Sequence, residues 1–310
     1  MSKNKKIAVL IAGPTASGKS ELGLSIADAM DGVIINADSM QVYDALPMLT
    51  ARPGVEDIKR APHKLYGFVP PDMHYSVGHW LGDVKKAIEE VRAAGKLPII
   101  LGGTGLYFSG LLHGLSPIPD ISDDVRAYWR AEALRLEGDG LHKILAKRDP
   151  EMALRLEAGD RQRITRALEV LDDTGQSLAE WQKIPGTPLL DFGDVAALVV
   201  APERTELYAR CDARFDWMME NGVLDEVRAL LDLELDPGLP VMRALGVRDL
   251  AAHIGGNLAI DDAVSAAKMQ TRRYAKRQLT WLRRNMITWN SIETKHMERN
   301  LPKILSFIED

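Results

Sequence analysis

A chain of 310 residues, 46% of them hydrophobic, exceeds a typical single domain, so one large domain with an insertion, or two domains, is expected. One cysteine, Cys211, excludes an intramolecular disulfide and a structural zinc site built on cysteine pairs, and it suits a reducing compartment such as the cytoplasm. The net charge of −5 excludes a globally basic nucleic-acid binder, so any such binding must rest on local basic faces.

The chain opens MSKNKKIAVLIAGPTASG, lysines followed by an apolar run, as a signal peptide does. The apolar part, residues 7–12, is short and runs straight into a glycine-rich loop, so a first strand is expected there and a leader is not. No apolar stretch approaches the roughly 20 residues that a membrane span needs, which predicts a soluble protein without a membrane partner.

IAVLIAG, SELGLSIADAM, GVIINADS, a Pro- and Gly-punctuated loop, HWLGDVKKAIEEVRAAG and LPIILGGTGLYF follow one another. Short continuous apolar runs between helical patterns predict buried parallel strands, hence a P-loop NTPase-like α/β core over residues 1–116. From Pro117 apolar residues take helical spacing, with Ser122, Asp149 and Asp160 as expected caps, which predicts a helical insertion over 117–193. VAALVVAP reads as a return to the sheet, and residues 194–310 as the continued core, with long helical stretches RTELYARCDARFDWMMENGVLDEVRALL and DDAVSAAKMQTRRYAKRQLTWLRRN and a last strand-like ITWN.

GPTASGKS meets the pattern G-x-x-x-x-G-K-[ST] between a predicted strand and a predicted helix. Gly13, Pro14, Thr15, Ala16, Ser17 and Gly18 are expected to form the phosphate-binding loop, whose glycines let backbone N–H groups turn inward. Lys19 adds a mobile positive charge, and Ser20 offers a hydroxyl to Mg²⁺. The bound group is a di- or triphosphate. GVIINADSMQVY brings Asp38 to the end of its strand, while LPIILGGTGLYF ends its strand on Gly102, Gly103 and Thr104 without a carboxylate. No Asn-Lys-x-Asp segment for reading guanine is present, whereas a small-molecule kinase remains open on these residues alone.

Taken in order, GPTASGKS, NADSMQVY, GGTGLYF, QRITRALEV and KRQLTWLR closely resemble the tRNA dimethylallyltransferase family, also called tRNA isopentenyltransferases, in its bacterial form. The resemblance covers nearly the whole chain. It implies transfer of the dimethylallyl group of dimethylallyl diphosphate to the exocyclic amine of the adenine 3′-adjacent to the anticodon of tRNA, with release of diphosphate. It also implies Asp38 as the base, Thr104 between base and leaving group, and Arg210 on the diphosphate, with Arg214 one helical turn on. Such chemistry needs fixed donors, Lys19 and a Ser20-held Mg²⁺ around the departing oxygen. Cytoplasmic action as a monomer is expected.

The tRNA partner would be gripped at its anticodon stem-loop, with the target base extruded. At about 100° per residue, Arg272, Lys276 and Arg283 form one row and Arg273, Arg277 and Arg284 the row beside it, while Leu279 and Leu282 point toward a core. No carboxylate interrupts TRRYAKRQLTWLRR. The resemblance implies RNA contacts at Lys276, Arg277, Gln278, Trp281 and Arg283, at Gln162, Arg163, Arg166 and Arg126, and at Ser39, Met40 and Gln41. RALGVRDL, from Arg243, resembles a further family block that usually carries an aromatic where this chain has Val247. His63 is expected to brace its loop, and the chain ends without the zinc finger of some eukaryotic relatives. Three other readings compete: an adenylate isopentenyltransferase on free nucleotides, which usually lacks the insert and the basic helix; a P-loop kinase of a small metabolite; and a non-catalytic RNA-binding module.

Overall fold

The run AVLIA forms β1 (Ala8–Ala12), and every residue of it is buried because both faces of the strand are covered. The computed structural model describes residues 6–293 and 297–309; the first five residues of the lysine-rich start lie outside them. After β1 come α1 (Lys19–Met30), β2 (Gly32–Asn36), α2 (Val55–Arg60), β3 (His63–Lys64), α3 (Val77–Ala93), β4 (Leu97–Gly102) and α4 (Gly105–His113). After five further helices the chain continues with β5 (Val195–Val200), which lies against β1. All strand pairs are parallel, and the order β3-β2-β4-β1-β5 is completed by β6 (Asn290–Ile292).

Alternation along β1 assigns the two layers. Ala8, Leu10 and Ala12 pack with Trp80, Val84 and Ile88 of α3, Phe108 and Leu111 of α4, and Met286 and Trp289. Val9 and Ile11 pack with Leu22 and Ile26 of α1 and with Ile304 and Ile308. A strand buried on both faces cannot show period-two polarity, which is why these segments read as continuous apolar runs.

The chain divides into two compact units, Met1–Leu112 with Leu189–Asp310, and His113–Pro188. The second starts and ends a few residues ahead of the expected 117–193 insertion. It consists of α5 (Asp123–Arg135), α6 (Gly140–Arg148), α7 (Pro150–Arg155), α8 (Arg161–Thr174) and α9 (Leu178–Trp181) around a core that includes Trp129, Leu145, Ile164 and Leu168. Asp149 and Asp160 cap as expected, accepting the N–H groups of Met152 and Arg163. Ser122 precedes α5 but makes no capping bond; its hydroxyl donates to Asp173 instead.

The first unit also holds α10 (Arg204–Glu220), α11 (Val223–Leu231), α12 (Val247–Ile254), α13 (Ile260–Asn285) and α14 (Met297–Glu309). A third core joins Phe215 and Met218 of α10, Val223 and Val227 of α11, and Val247 and Leu250 of α12 with Val42, Leu46 and Leu49 of the loop after β2. Three local expectations need correction. That loop contains α2 and the two-residue edge strand β3, both too short to carry a period. The stretch from Arg204 to Leu231 is two helices, broken at Gly222, whose φ of 99° no helix interior accommodates. ITWN is not itself a strand: Ile287 is 80% exposed, Trp289 turns back into the core, and pairing begins only at Asn290.

Candidate active site

The ends of β1, β2 and β4 bring three loops to one edge of the sheet, where open α/β sheets place their ligands. From β1 comes the phosphate cradle. Gly13 has no room for a side chain, since a Cβ there would lie 2.6 Å from Ser17 Oγ and 2.9 Å from the Val200 carbonyl. Ala16 and Gly18 take left-handed backbone, at φ 61° and 88°, so that the loop curls before α1 begins. Ser17 Oγ is buried without a hydrogen-bond partner among the described residues, and Ser20 is exposed in the first turn of α1.

Lys19 Nζ folds back to donate to the Pro14 carbonyl at 3.2 Å. Burial is the main reason that its pKa falls to about 8; nearby Arg214 pushes the same way, and Asp38 opposes both. An anion entering the cradle would offset that cost.

Asp38 follows β2 and is held from several directions. Its backbone N–H donates to Asn36 Oδ1 at 2.8 Å, and Asn36 Nδ2 donates to the Asp38 and Leu65 carbonyls. Asn36 is itself fixed by Trp80, whose indole N–H donates to its carbonyl at 2.8 Å while the ring stacks on Tyr107. Asp38 Oδ1 accepts the Met40 N–H at 2.9 Å. Thr104, at the end of β4, accepts the Ser39 N–H at 3.0 Å, and its own N–H donates to the Ala37 carbonyl at 3.2 Å. The Asp38 and Thr104 loops are therefore tied to each other directly.

Beside them opens a cavity of about 290 Å³ lined by Thr15, Asp38, Ser39, Met40, Leu49, Thr50, Cys211, Arg214, Phe215, Met218, Arg243, Ala244, Leu245, Thr271, Tyr274 and Arg277. Its charged groups are Asp38, Arg214, Arg243 and Arg277, joined by the hydroxyls of Thr15, Ser39, Thr50, Thr271 and Tyr274; the rest of the lining is largely apolar. Arg214 donates to Thr15 Oγ1, and burial pulls its pKa below the ordinary guanidinium value. Arg210 is not among the lining residues: it pairs with Glu206 at 2.6 Å and donates to the Ser17 carbonyl at 3.4 Å, outside the cavity but on the back of the cradle. Burial, with the Asp38 charge adding to it, pushes the Tyr274 hydroxyl above the ordinary phenol range.

The helix α13 turns one face to this site and one to solvent. Thr271, Tyr274, Gln278 and Trp281 lie inward at three- and four-residue spacing. Trp281 packs so close that a Cβ on Gly105 would meet its ring at 2.3 Å. Outward, Arg273, Lys276, Arg277, Thr280 and Arg284 line an open groove of about 660 Å³ together with Trp281 and Asn285. Arg272 does not belong with that set, because α10 presents Asp212, whose two oxygens it meets at 2.6 and 2.8 Å. The carboxylate absent from the basic stretch is supplied from another helix. Arg283 is exposed but is not among the groove-lining residues.

Of the other expected residues, Gln41 spends its side-chain N–H groups on the Thr50 and Ala51 carbonyls and so braces the loop bearing Leu49. Gln278 is buried and bonded to the cradle, away from solvent. Val247 is packed in the third core, 2% exposed, and is not among the residues that line the cavity. His63 is set against the Ala61 carbonyl at 2.8 Å, in a bracing position. In the second unit Gln162 is exposed, and Arg126, Arg163 and Arg166 pair with Asp123, Asp160 and Glu169 of their own segments. Sequence reasoning singles out neither Asn36 nor Trp80. An asparagine at a strand end can close a turn onto the backbone two residues on, and this could have marked Asn36; nothing local marks Trp80.

Residues 41–285 match the family model described as IPP transferase. A protein of Parvibaculum lavamentivorans named tRNA dimethylallyltransferase is 48% identical over 310 residues, covering 100% of this chain and 98% of that protein. One of the same name from Methylobacterium nodulans is 54% identical over 278 residues, covering 89% and 91%. The crystal structure of the full-length tRNA isopentenylpyrophosphate transferase from Bacillus halodurans matches with a TM-score of 0.70 at 30% identity, covering 99% of this chain and 96% of that one. A structure of a eukaryotic dimethylallyltransferase acting on tRNA matches with a TM-score of 0.76 at 26% identity, covering 94% and 75%. A family match over most of the chain, with relatives of this identity and coverage, means that the chain belongs to the IPP transferase family.

Proposed function

We infer that this chain is a tRNA-modifying prenyltransferase: it transfers the dimethylallyl group of dimethylallyl diphosphate to the exocyclic amine of an adenine in tRNA and releases diphosphate. Family membership supports the reaction, and one observation favours it over a kinase. A single cavity joins the carboxylate of Asp38 and the cradle-bound Arg214 to a floor of Leu49, Phe215, Met218 and Leu245. An allylic diphosphate has that same division into polyanion and short apolar tail, whereas a phosphoryl acceptor does not require the floor.

In the reaction the allylic carbon–oxygen bond breaks with its electron pair going to diphosphate, and a nitrogen–carbon bond forms. Cradle N–H groups, the Lys19 ammonium and Arg214 would meet the charge growing on the leaving oxygen, with Arg210 behind the loop at the Ser17 carbonyl. Asp38 would take the amine proton and return it to water. Its Oδ1 is engaged by the Met40 N–H, and this fixes the carboxylate plane. Thr104, tied to Ser39, would stand between base and leaving group.

Among the described residues no group of three or more His, Cys, Asp or Glu is arranged to hold a metal ion. The exposed Ser20 hydroxyl with diphosphate oxygens and water is the all-oxygen donor set that suits Mg²⁺, which is ordinarily held through substrate phosphates. Bound there, Mg²⁺ would supply further charge stabilisation to the departing diphosphate.

The acceptor is the adenine 3′-adjacent to the anticodon, and the anticodon stem-loop is the part of tRNA that is gripped. Support comes from the exposed cations Lys276, Arg277 and Arg283, from Trp281 in the groove, and from Arg243, Ser39 and Met40 at the cavity. Arg126, Gln162, Arg163 and Arg166 of the second unit are further RNA contacts in this reading. No helix among the described residues is long and apolar enough to cross a membrane. Cytoplasmic action by a single copy belongs to the same reading.

The test is to follow label from dimethylallyl diphosphate with unmodified tRNA, free AMP or no acceptor present. Transfer to tRNA alone is expected. Transfer to AMP alone would sink the acceptor assignment, and ATP hydrolysis without transfer would favour a kinase.

A further inference from the structure

The strand ends that carry the cradle and Thr104 are joined by a side chain from neither. Gln278, on the inward face of α13 and 7% exposed, accepts the Thr15 N–H on Oε1 at 2.9 Å and donates from Nε2 to the Gly103 carbonyl at 2.9 Å. Thr15 lies three residues beyond β1, and Gly103 directly follows β4. An amide offers one acceptor and a pair of donors at a fixed separation, which is what a backbone N–H and a backbone carbonyl on adjacent strands require. Gly103 leaves the space for it, because a Cβ there would sit 2.3 Å from Gln278 Nε2.

Two consequences follow from those bonds. The Thr15 N–H is already spent on Gln278, so it helps set the curl of the cradle and is not one of the donors offered to a ligand. The Gly103 carbonyl precedes Thr104, whose hydroxyl accepts the Ser39 N–H beside Asp38. The ladder between β1 and β4 ends with the Gly13 N–H donating to the Gly102 carbonyl at 3.2 Å, and this amide carries the tie beyond it, between the diphosphate side of the site and its acid–base side. On the same turn of α13, Lys276 and Arg277 line the outward groove.

We propose that Gln278 is a positioning residue for the donor: its amide holds the cradle and the Thr104 loop at the separation that diphosphate binding and departure require, and it makes no contact with RNA. The proposal rests on the reading of the cradle as a diphosphate clamp. Two substitutions of nearly equal size test it. Gln278→Met removes both bonds; Gln278→Glu keeps an acceptor for Thr15 but sets a carboxylate against the Gly103 carbonyl.

The full-length chain is titrated with inorganic diphosphate in Mg²⁺ and, separately, with an anticodon stem-loop RNA; single-turnover transfer and thermal unfolding are followed beside them. For Gln278→Met we expect diphosphate affinity and the transfer rate each to fall by about tenfold, RNA affinity to stay within about threefold, and cooperative unfolding to persist. Gln278→Glu is expected to lose more of the diphosphate affinity than Gln278→Met. A folded Gln278→Met protein with unchanged diphosphate affinity would overturn the proposal, as would loss of RNA affinity with diphosphate affinity kept. If Gln278→Met does not fold, Gln278→Glu is judged by the same criteria. Loss of cooperative unfolding in both would make the amide a determinant of the fold and overturn a positioning role. Wild-type protein that binds no diphosphate would instead overturn the clamp reading, and this proposal with it.

Discussion

The Asn36 side chain clamps the backbone of Asp38 from both sides, accepting its N–H at 2.8 Å and donating to its carbonyl at 3.0 Å. Asn36 is fully buried, and its amide also holds the Leu65 carbonyl. Replacing it with alanine leaves partly buried backbone groups of Asp38 and Leu65 unpaired, each costing up to about 1–3 kcal/mol. Asn36→Ala is therefore expected to lower stability by about 2–4 kcal/mol and, by freeing the Asp38 turn, to reduce the transfer rate by about 10²-fold. Denaturant unfolding and single-turnover transfer check the two parts. A variant as unstable as expected but with unchanged chemistry would mean that Asp38 is held by its other bonds alone.

Asp38→Ala separates base from metal ligand. Removing a general base costs about 10²–10⁴ in rate without weakening donor binding, because the cradle, Lys19 and Arg214 remain. Diphosphate affinity is expected to stay within a few-fold of the parent while transfer to tRNA collapses. Donor binding that disappears together with transfer would assign Asp38 to the metal or to the fold.

Much of this is legible in the chain and some is not, for reasons that differ residue by residue. The cradle, Asp38 and Thr104 can be read because each sits at the end of a buried strand, and continuous apolar runs announce such strands. The outward cations of α13 can be read because helical period alone fixes which side chains share a face. What sequence spacing misses is the partner brought by another element. Asp212 neutralises Arg272 from α10, and Gln278 is turned inward by bonds to residues 263 and 175 positions away. Arg210 and Arg214 differ by one turn, yet the nearby Glu206 engages the first while only the second reaches the cavity.

Lys19 makes donor binding pH-dependent. Its pKa of about 8 in the free protein lies below the ordinary 10.5, mainly through burial. The unfolded chain therefore binds more protons between those values, and the group's contribution to stability rises with pH across that window. Diphosphate binding has the opposite sign. A bound polyanion raises the Lys19 pKa, so binding above pH 8 takes up a proton and affinity falls as pH rises, by at most about tenfold per unit. Titration calorimetry in buffers of different ionisation enthalpy at pH 8.5 should show this uptake in the parent. Lys19→Met, which has no proton to gain, should show a flatter profile; identical proton uptake in both proteins would assign it elsewhere.

The two faces of α13 predict different responses to salt. Arg277 is exposed, lies over the Tyr274 ring at 5.6 Å and lines both the cavity and the groove. Arg272, one and a half turns earlier, is engaged by Asp212. Removing one cation that neutralises an RNA phosphate should reduce the slope of log affinity against log salt concentration by about 0.7–0.9. Arg277→Ala is expected to show that reduction with an anticodon stem-loop RNA, and Lys276→Ala likewise. Arg272→Ala should leave the slope unchanged, because its charge is already paired, and should act instead on stability by releasing Asp212. A slope that drops for Arg272→Ala and holds for Arg277→Ala would move the RNA surface off the groove and onto the α10 side of the helix.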